Sequence, residues 1–97
     1  MYGTIFNLRP KPGRKDDLLQ ILDIDPREGM VAWFLMDPDD QSRDLIGVAI
    51  FESKEAHIAN ANSPEQNAMF TQIMDCLEAE PTWTDGSYVI GRVATSL

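Results

Sequence analysis

Asn7 interrupts a run, Tyr2-Gly3-Thr4-Ile5-Phe6-Asn7-Leu8, that is otherwise mostly apolar or β-branched. A carboxamide among apolar neighbours must find hydrogen-bond partners, so it either orients a polar atom of a bound molecule or ties into a sheet. His57 is the single histidine of the chain, and imidazole is the side chain best suited to accept a proton near neutrality. As a general base it would deprotonate a phenol or quinol; as a helix surface residue it would do no chemistry. Asn7 and His57 are therefore the candidate catalytic residues. Trp33, Tyr2, Phe70 and Tyr88 offer aromatic surface for a flat ring, and Asn60 and Asn62 offer carboxamides for a ligand carbonyl. Core packing, dimer contact and helix capping compete for the same side chains. Trp83, close to Pro81, reads as a packing plug in a connection, and Arg92 as an anion contact or one half of a salt bridge at a sheet edge.

Other constellations point away from particular chemistries. With no second His or Cys there is no paired nucleophile and base of the Ser–His or Cys–His kind beyond His57 and Cys76 themselves. One Cys and one His exclude an all-nitrogen and sulfur zinc site within one chain, so no metal is expected. Asp37, Asp39, Asp40 and Asp44 crowd a loop that lacks the mid-loop Gly and closing Glu of a calcium loop; they read as solvated turn acids. No phosphate-cradling loop such as G-x-G-x-x-G is present, and no cofactor is expected. Cys76 cannot form a disulfide within the chain, which fits a reducing compartment, and reads as a small buried or half-buried apolar residue.

Length and charge bound the rest. Ninety-seven residues, 43% hydrophobic and 25% charged, make one globular domain spanning 1–97. No run approaches the ~18 apolar residues of a membrane span. The basic residues Arg9, Lys11, Arg14 and Lys15 follow the first apolar run rather than precede it, opposite to a signal peptide, and a cytoplasmic location is expected. The net charge of −8 is uneven: residues 1–15 hold four basic residues and no acid, the remainder four basic and sixteen acidic. Such an acidic body disfavours nucleic acid as a partner. The basic cluster is either a solvated loop at a helix start or an attractor for a small anion or an acidic partner face.

The elements that must position these residues follow from pattern. Tyr2–Arg9 is a strand stopped by Pro10. Pro12-Gly13 turns the chain into a helix over Arg14–Ile24, with Leu18, Ile21 and Leu22 on one face and Asp16 and Asp17 in its first turn. Strands over Gly29–Met36 and Asp44–Phe51 flank a polar turn. A short helix runs from Ser53 to about Asn60. Ser63-Pro64-Glu65-Gln66 then has the cap, the N1 proline and the third-position Gln of a helix start, with Phe70, Ile73, Met74 and Leu77 as the buried stripe to about Ala79. Asp85-Gly86 reads as a turn into a last strand, Ser87–Thr95. The order β-α-β-β-α-α-β predicts an α+β, ferredoxin-like domain: a four-stranded antiparallel sheet with its helices on one face.

Both parities of the strands are apolar. Leu45 and Phe51 oppose Ile46, Val48 and Ile50; Met30, Phe34 and Met36 oppose Val31, Trp33 and Leu35; Tyr2, Phe6 and Leu8 oppose Ile5. Helices can cover only one such face. A face of about 700 Å² at about 25 cal/mol per Å² is worth on the order of 15 kcal/mol gross, so a second copy of the chain is the expected cover, in a two-fold homodimer.

Arg9-Pro10-Lys11-Pro12-Gly13-Arg14, Gly29-Met30-Val31, Val48-Ala49-Ile50-Phe51-Glu52-Ser53-Lys54-Glu55-Ala56 and Asn62-Ser63-Pro64, in that order over roughly residues 2–90, resemble the antibiotic-biosynthesis monooxygenase family. The resemblance implies a dimeric α/β barrel with a pocket inside each protomer, between sheet and helices. It also implies a small apolar or aromatic ligand and, in some relatives, cofactor-independent oxygenation of polycyclic quinol-type substrates; a non-catalytic binding or interaction module is the alternative. Haem-degrading relatives carry an Asn on the first strand, which Asn7 matches. Their iron-ligating His and their Trp correspond to Phe70 and Asn60 here, so the haem ligand is missing from the pattern.

Overall fold

Residues 1–94 are described in a computed structural model. The elements are β1 (Tyr2–Leu8), α1 (Lys15–Leu22), β2 (Met30–Met36), β3 (Leu45–Phe51), α2 (Lys54–Ala61), α3 (Pro64–Asp75) and β4 (Thr82–Ser87). All neighbouring strands are antiparallel, in the order β2-β3-β1-β4, which is the ferredoxin-like arrangement expected from the element order.

Local chemistry explains the helix starts. The hydroxyl oxygen of Ser53 accepts from the Ala56 N–H, and that of Ser63 accepts from the Gln66 N–H, both at 3.1 Å, with Pro64 at the first helical position of α3. Each satisfies an otherwise orphaned donor. Gly29 takes φ +79°, and a Cβ there would come within 2.9 Å of the Ala56 Cβ. Glycine is thus required both by the backbone conformation and by the approach of α2.

The fold departs from expectation at the C-terminal side of α3. That helix ends at Asp75 rather than near Ala79, because residues 76–78 pair with the chain leaving β1: Lys11 N–H donates to the Cys76 carbonyl and Glu78 N–H to the Arg9 carbonyl, each at 2.8 Å. The last strand is also displaced. Thr82–Ser87 forms it, and Asp85 and Gly86 lie inside it opposite Thr4 and Gly3, not in a turn. The strand expected over Ser87–Thr95 is absent from 88–94, and Thr95 lies outside the described residues. An edge strand is bonded on one side only, so it tolerates the Asp and Gly that a central strand would reject. Trp83 is consequently a strand residue rather than a plug in a connection. Arg92 lies beyond the strand and donates to the Gly91 carbonyl.

Strand pairing fixes which side chains share a face. Toward the helices, one row crosses the sheet as Trp83, Phe6, Gly47 and Leu35; the next as Asp85, Thr4, Ala49 and Trp33. A register shift between Met30 and Ala32 sets Met30 opposite Phe51, on the helix side. Ile5, Ile46, Val48, Ile50, Phe34 and Met36 occupy the other face, where Phe34 is 65% and Met36 59% exposed. The apolar second face read from strand parity is thus present. No helix among the described residues is long and apolar enough to cross a membrane.

Candidate functional site

The helix side of the sheet is packed at one end and hollow at the other. Leu8 and Leu45 form an all-leucine pair on the sheet, and Leu18, Leu22, Ile73, Cys76 and Leu77 close on them from α1 and the end of α3. Toward the opposite end the sheet row carries the small residues Thr4 and Ala49, and the helices stand off. No residue of α2 is buried, and Ile73 is the only buried residue within α3. The space left is a cavity of about 460 Å³.

Its walls are built from several elements. Phe6 lies across Gly47, where a Cβ would stand 2.1 Å from the ring, so the glycine allows the ring to lie flat on the sheet. Trp83 packs against Phe6 with centroids 5.0 Å apart and against Phe70 of α3 at 6.3 Å. Trp33 is fixed by its indole N–H, which donates to the Ile24 carbonyl at 3.1 Å. His57, on α2, sits with its ring 5.5 Å from Tyr2 and 5.0 Å from Phe51 and borders the cavity, as does Asn60 one turn on. The floor is Thr4 and Ala49. Arg27, in the connection from α1 to β2, enters from the side, and its Nη2 reaches the Met69 sulfur at 3.8 Å.

Of the residues singled out by type and spacing, Trp33, His57, Asn60 and Phe70 meet at this cavity. Asn7 and Tyr88 do not. Asn7 pairs with Ile46 and Thr82 and is exposed on the opposite face of the sheet. The strand period of two sends Thr4, Phe6 and Leu8 inward and Ile5 and Asn7 outward. Tyr88 follows β4 and lies over Gly3, its hydroxyl within 3.1 Å of the Ala49 carbonyl and 3.3 Å of the Thr4 carbonyl. Burial raises the pKa of that phenol, which holds it as a neutral donor. Asn62 serves as the C-cap residue of α2.

The sequence pattern does not single out Thr4, Arg27 or Met69, and it reads Trp83 as a packing plug rather than a cavity wall. The alternation Thr82-Trp83-Thr84 is a strand signal that Pro81 and Asp85-Gly86 obscured. Arg27 is the only basic residue between positions 16 and 42, an isolated cation in an acidic stretch.

The basic cluster at the other end is internally paired. Arg9 bonds Asp44 at 2.8 Å, Arg14 bonds Asp17 at 2.9 Å and donates to the Cys76 sulfur at 3.2 Å, and Lys15 bonds Asp37. The Lys15 and Gln41 bonds hold the Asp37 carboxyl below its ordinary pKa, and the Ser42 hydroxyl and N–H do the same for Asp40. These acids are organised by the turn itself. Among the described residues no group of three or more His, Cys, Asp or Glu converges on a metal-sized site.

No protein-family model matches the chain, and no curated protein matches it. Solved structures do. Rv0793 from Mycobacterium tuberculosis superposes with a TM-score of 0.81 at 18% identity, covering 95% of this chain and 98% of the other. A candidate antibiotic biosynthesis monooxygenase from Nitrosomonas europaea gives a TM-score of 0.80 at 9% identity, covering 93% and 100%. A third structure, named as an antibiotic biosynthesis monooxygenase, gives 0.74 at 12% identity, covering 93% and 100%. The chain therefore has the ferredoxin-like α+β fold shared by structures named as antibiotic biosynthesis monooxygenases.

Proposed function

We propose that this chain is a member of the antibiotic-biosynthesis monooxygenase group that binds a small, largely apolar or aromatic metabolite in the cavity of each protomer and oxygenates it without a cofactor. The observation that carries the reading is the cavity: about 460 Å³, walled by Phe6, Trp33, Phe70 and Trp83, with a lining surface that is mostly apolar. That volume and lining suit a two- or three-ring molecule. His57 at the wall is the candidate base. It would take the hydroxyl proton of a phenol, or the ring CH₂ proton of an anthrone-type substrate, leaving an electron-rich anion for dioxygen. One oxygen atom then becomes the new ring carbonyl, and the other leaves as water with the two hydrogens lost by the substrate: both from the CH₂ of an anthrone, or one from O–H and one from C–H of a phenol. Oxygen consumption with anthrone-type compounds tests this: turnover is expected, with a fall of at least about 100-fold in His57→Ala. Turnover unchanged in that variant removes His57 from the chemistry.

A second reading, binding without catalysis, is favoured by one observation: of the candidate catalytic pair Asn7 and His57, Asn7 lies off the cavity and only His57 lines it. Binding of an aromatic probe with no oxygen uptake would select it.

The homodimer belongs to the same proposal. The open sheet face presents Ile5, Phe34 and Met36, all more than 40% exposed, in a contiguous apolar surface of the kind that marks an interface. Sedimentation should show a dimer at micromolar concentration, and Phe34→Glu should shift it to monomer; a wild-type protein sedimenting only at 10.9 kDa would rule the dimer out.

A further inference from the structure

Two residues that line the cavity each carry a buried polar atom with no hydrogen-bond partner among the described residues: the Thr4 hydroxyl oxygen and the Arg27 Nε. Thr4 is only 5% exposed, at the floor, and Arg27 stands at the side. The guanidinium contact to the Met69 sulfur, at 3.8 Å, is with a weak acceptor. Arg27 enters none of the ion pairs among the described residues, and Asp85, the one acid lining the cavity, makes no ion pair with it. A half-buried guanidinium with a buried, unpaired Nε, lining the same cavity as an unsatisfied hydroxyl, costs the folded protein stability that a ligand can restore.

We propose that the cavity ligand is a carboxylate on an aromatic body, its carboxylate held by Arg27 with the Thr4 hydroxyl as second donor. The assignment rests on the cavity being a ligand site and adds the charge and polar end of the ligand. A guanidinium presents a planar fork of N–H donors that matches a carboxylate. The aromatic walls take the ring while these two groups take the charge, so the ligand would lie with its polar end toward Arg27 and its rings between Trp33, Phe70 and Trp83. The net charge of −8 opposes anion approach from a distance, so affinity for a carboxylate must come from a local group.

Calorimetric titration with 2-naphthoate and with 2-naphthamide, equal in ring and differing in charge, tests this without mutation. The wild-type protein should bind 2-naphthoate about 10- to 100-fold more tightly. Arg27→Gln should bring the two probes to parity, Arg27→Lys should keep part of the preference, and Thr4→Val should weaken 2-naphthoate about 3- to 10-fold, with circular dichroism confirming that each variant is folded. Equal wild-type affinities, or a preference that survives Arg27→Gln, overturn the carboxylate assignment while leaving the cavity as a ligand site. Failure of both probes to bind overturns the ligand site and the assignment together.

Discussion

The two ends of one sheet face show how the same fold supplies a core and a chamber. At one end Leu8 and Leu45, 1% and 2% exposed, meet Leu18 and Cys76, both fully buried. Side chains from strand and helix are buried against one another there in one cluster. At the other end the residues are rings, methionines and small side chains. Rigid rings braced on one another at 5.0 to 6.3 Å cannot collapse into the space above Thr4 and Ala49, so it persists. The same helix serves both ends: α3 is anchored by Ile73 near its C-terminus and carries Gln66, Met69 and Phe70 over the cavity with its first turns.

Truncation should separate the ends most sharply. Leu18→Ala in the packed end is expected to cost about 2–5 kcal/mol, because it leaves a void the neighbours cannot fill. Met69→Ala, beside space that is already open, should cost about 1 kcal/mol or less. Urea unfolding at one fixed protein concentration checks the pair; equal losses would mean that the two ends are packed alike.

A smaller effect is expected from filling the chamber. Ala49→Met places a flexible apolar chain on the floor. It should weaken an aromatic probe such as 2-naphthoate by about tenfold, or 1.4 kcal/mol, with little change in unfolding midpoint. A midpoint that drops sharply would show the floor to be closely packed after all.

The smallest effect lies at the packed end's outer rim. Asp37 and Asp40 are held below the ordinary carboxylate value by hydrogen bonds from Lys15 and Ser42. A depressed folded-state pKa contributes stability above the unfolded value, and that contribution disappears as pH falls through the folded value. Both groups are on the surface, so the effect is slight and screened by salt. Asp37→Asn should flatten the acid-side loss of stability between about pH 5 and pH 3; an unchanged slope would assign the acid sensitivity elsewhere.

Much of this comparison was legible before the fold was known. Ser63-Pro64-Glu65-Gln66 announced α3, and the alternation of Leu45 and Phe51 against Ile46, Val48 and Ile50 announced a sheet with two apolar faces. Trp33, His57, Asn60 and Phe70 were chosen by residue type and converge on the cavity. The two failures have different causes. Asn7 was chosen for its chemistry, but its side is set by strand parity against β3. Tyr88 was assigned to a strand that ends one residue earlier, so its ring falls over Gly3 instead of entering the chamber.

By itself the sequence determined the element order, the helix caps and the two-sided hydrophobicity of the strands, since these depend on neighbours within a few positions. Tertiary structure alone decided that the small residues Thr4 and Ala49 would stand in one row, 45 positions apart in the chain. It alone brought Arg27, Trp83 and Phe70 to the walls around them. A cavity is a property of what long-range pairing leaves unfilled, and no local pattern records an empty space.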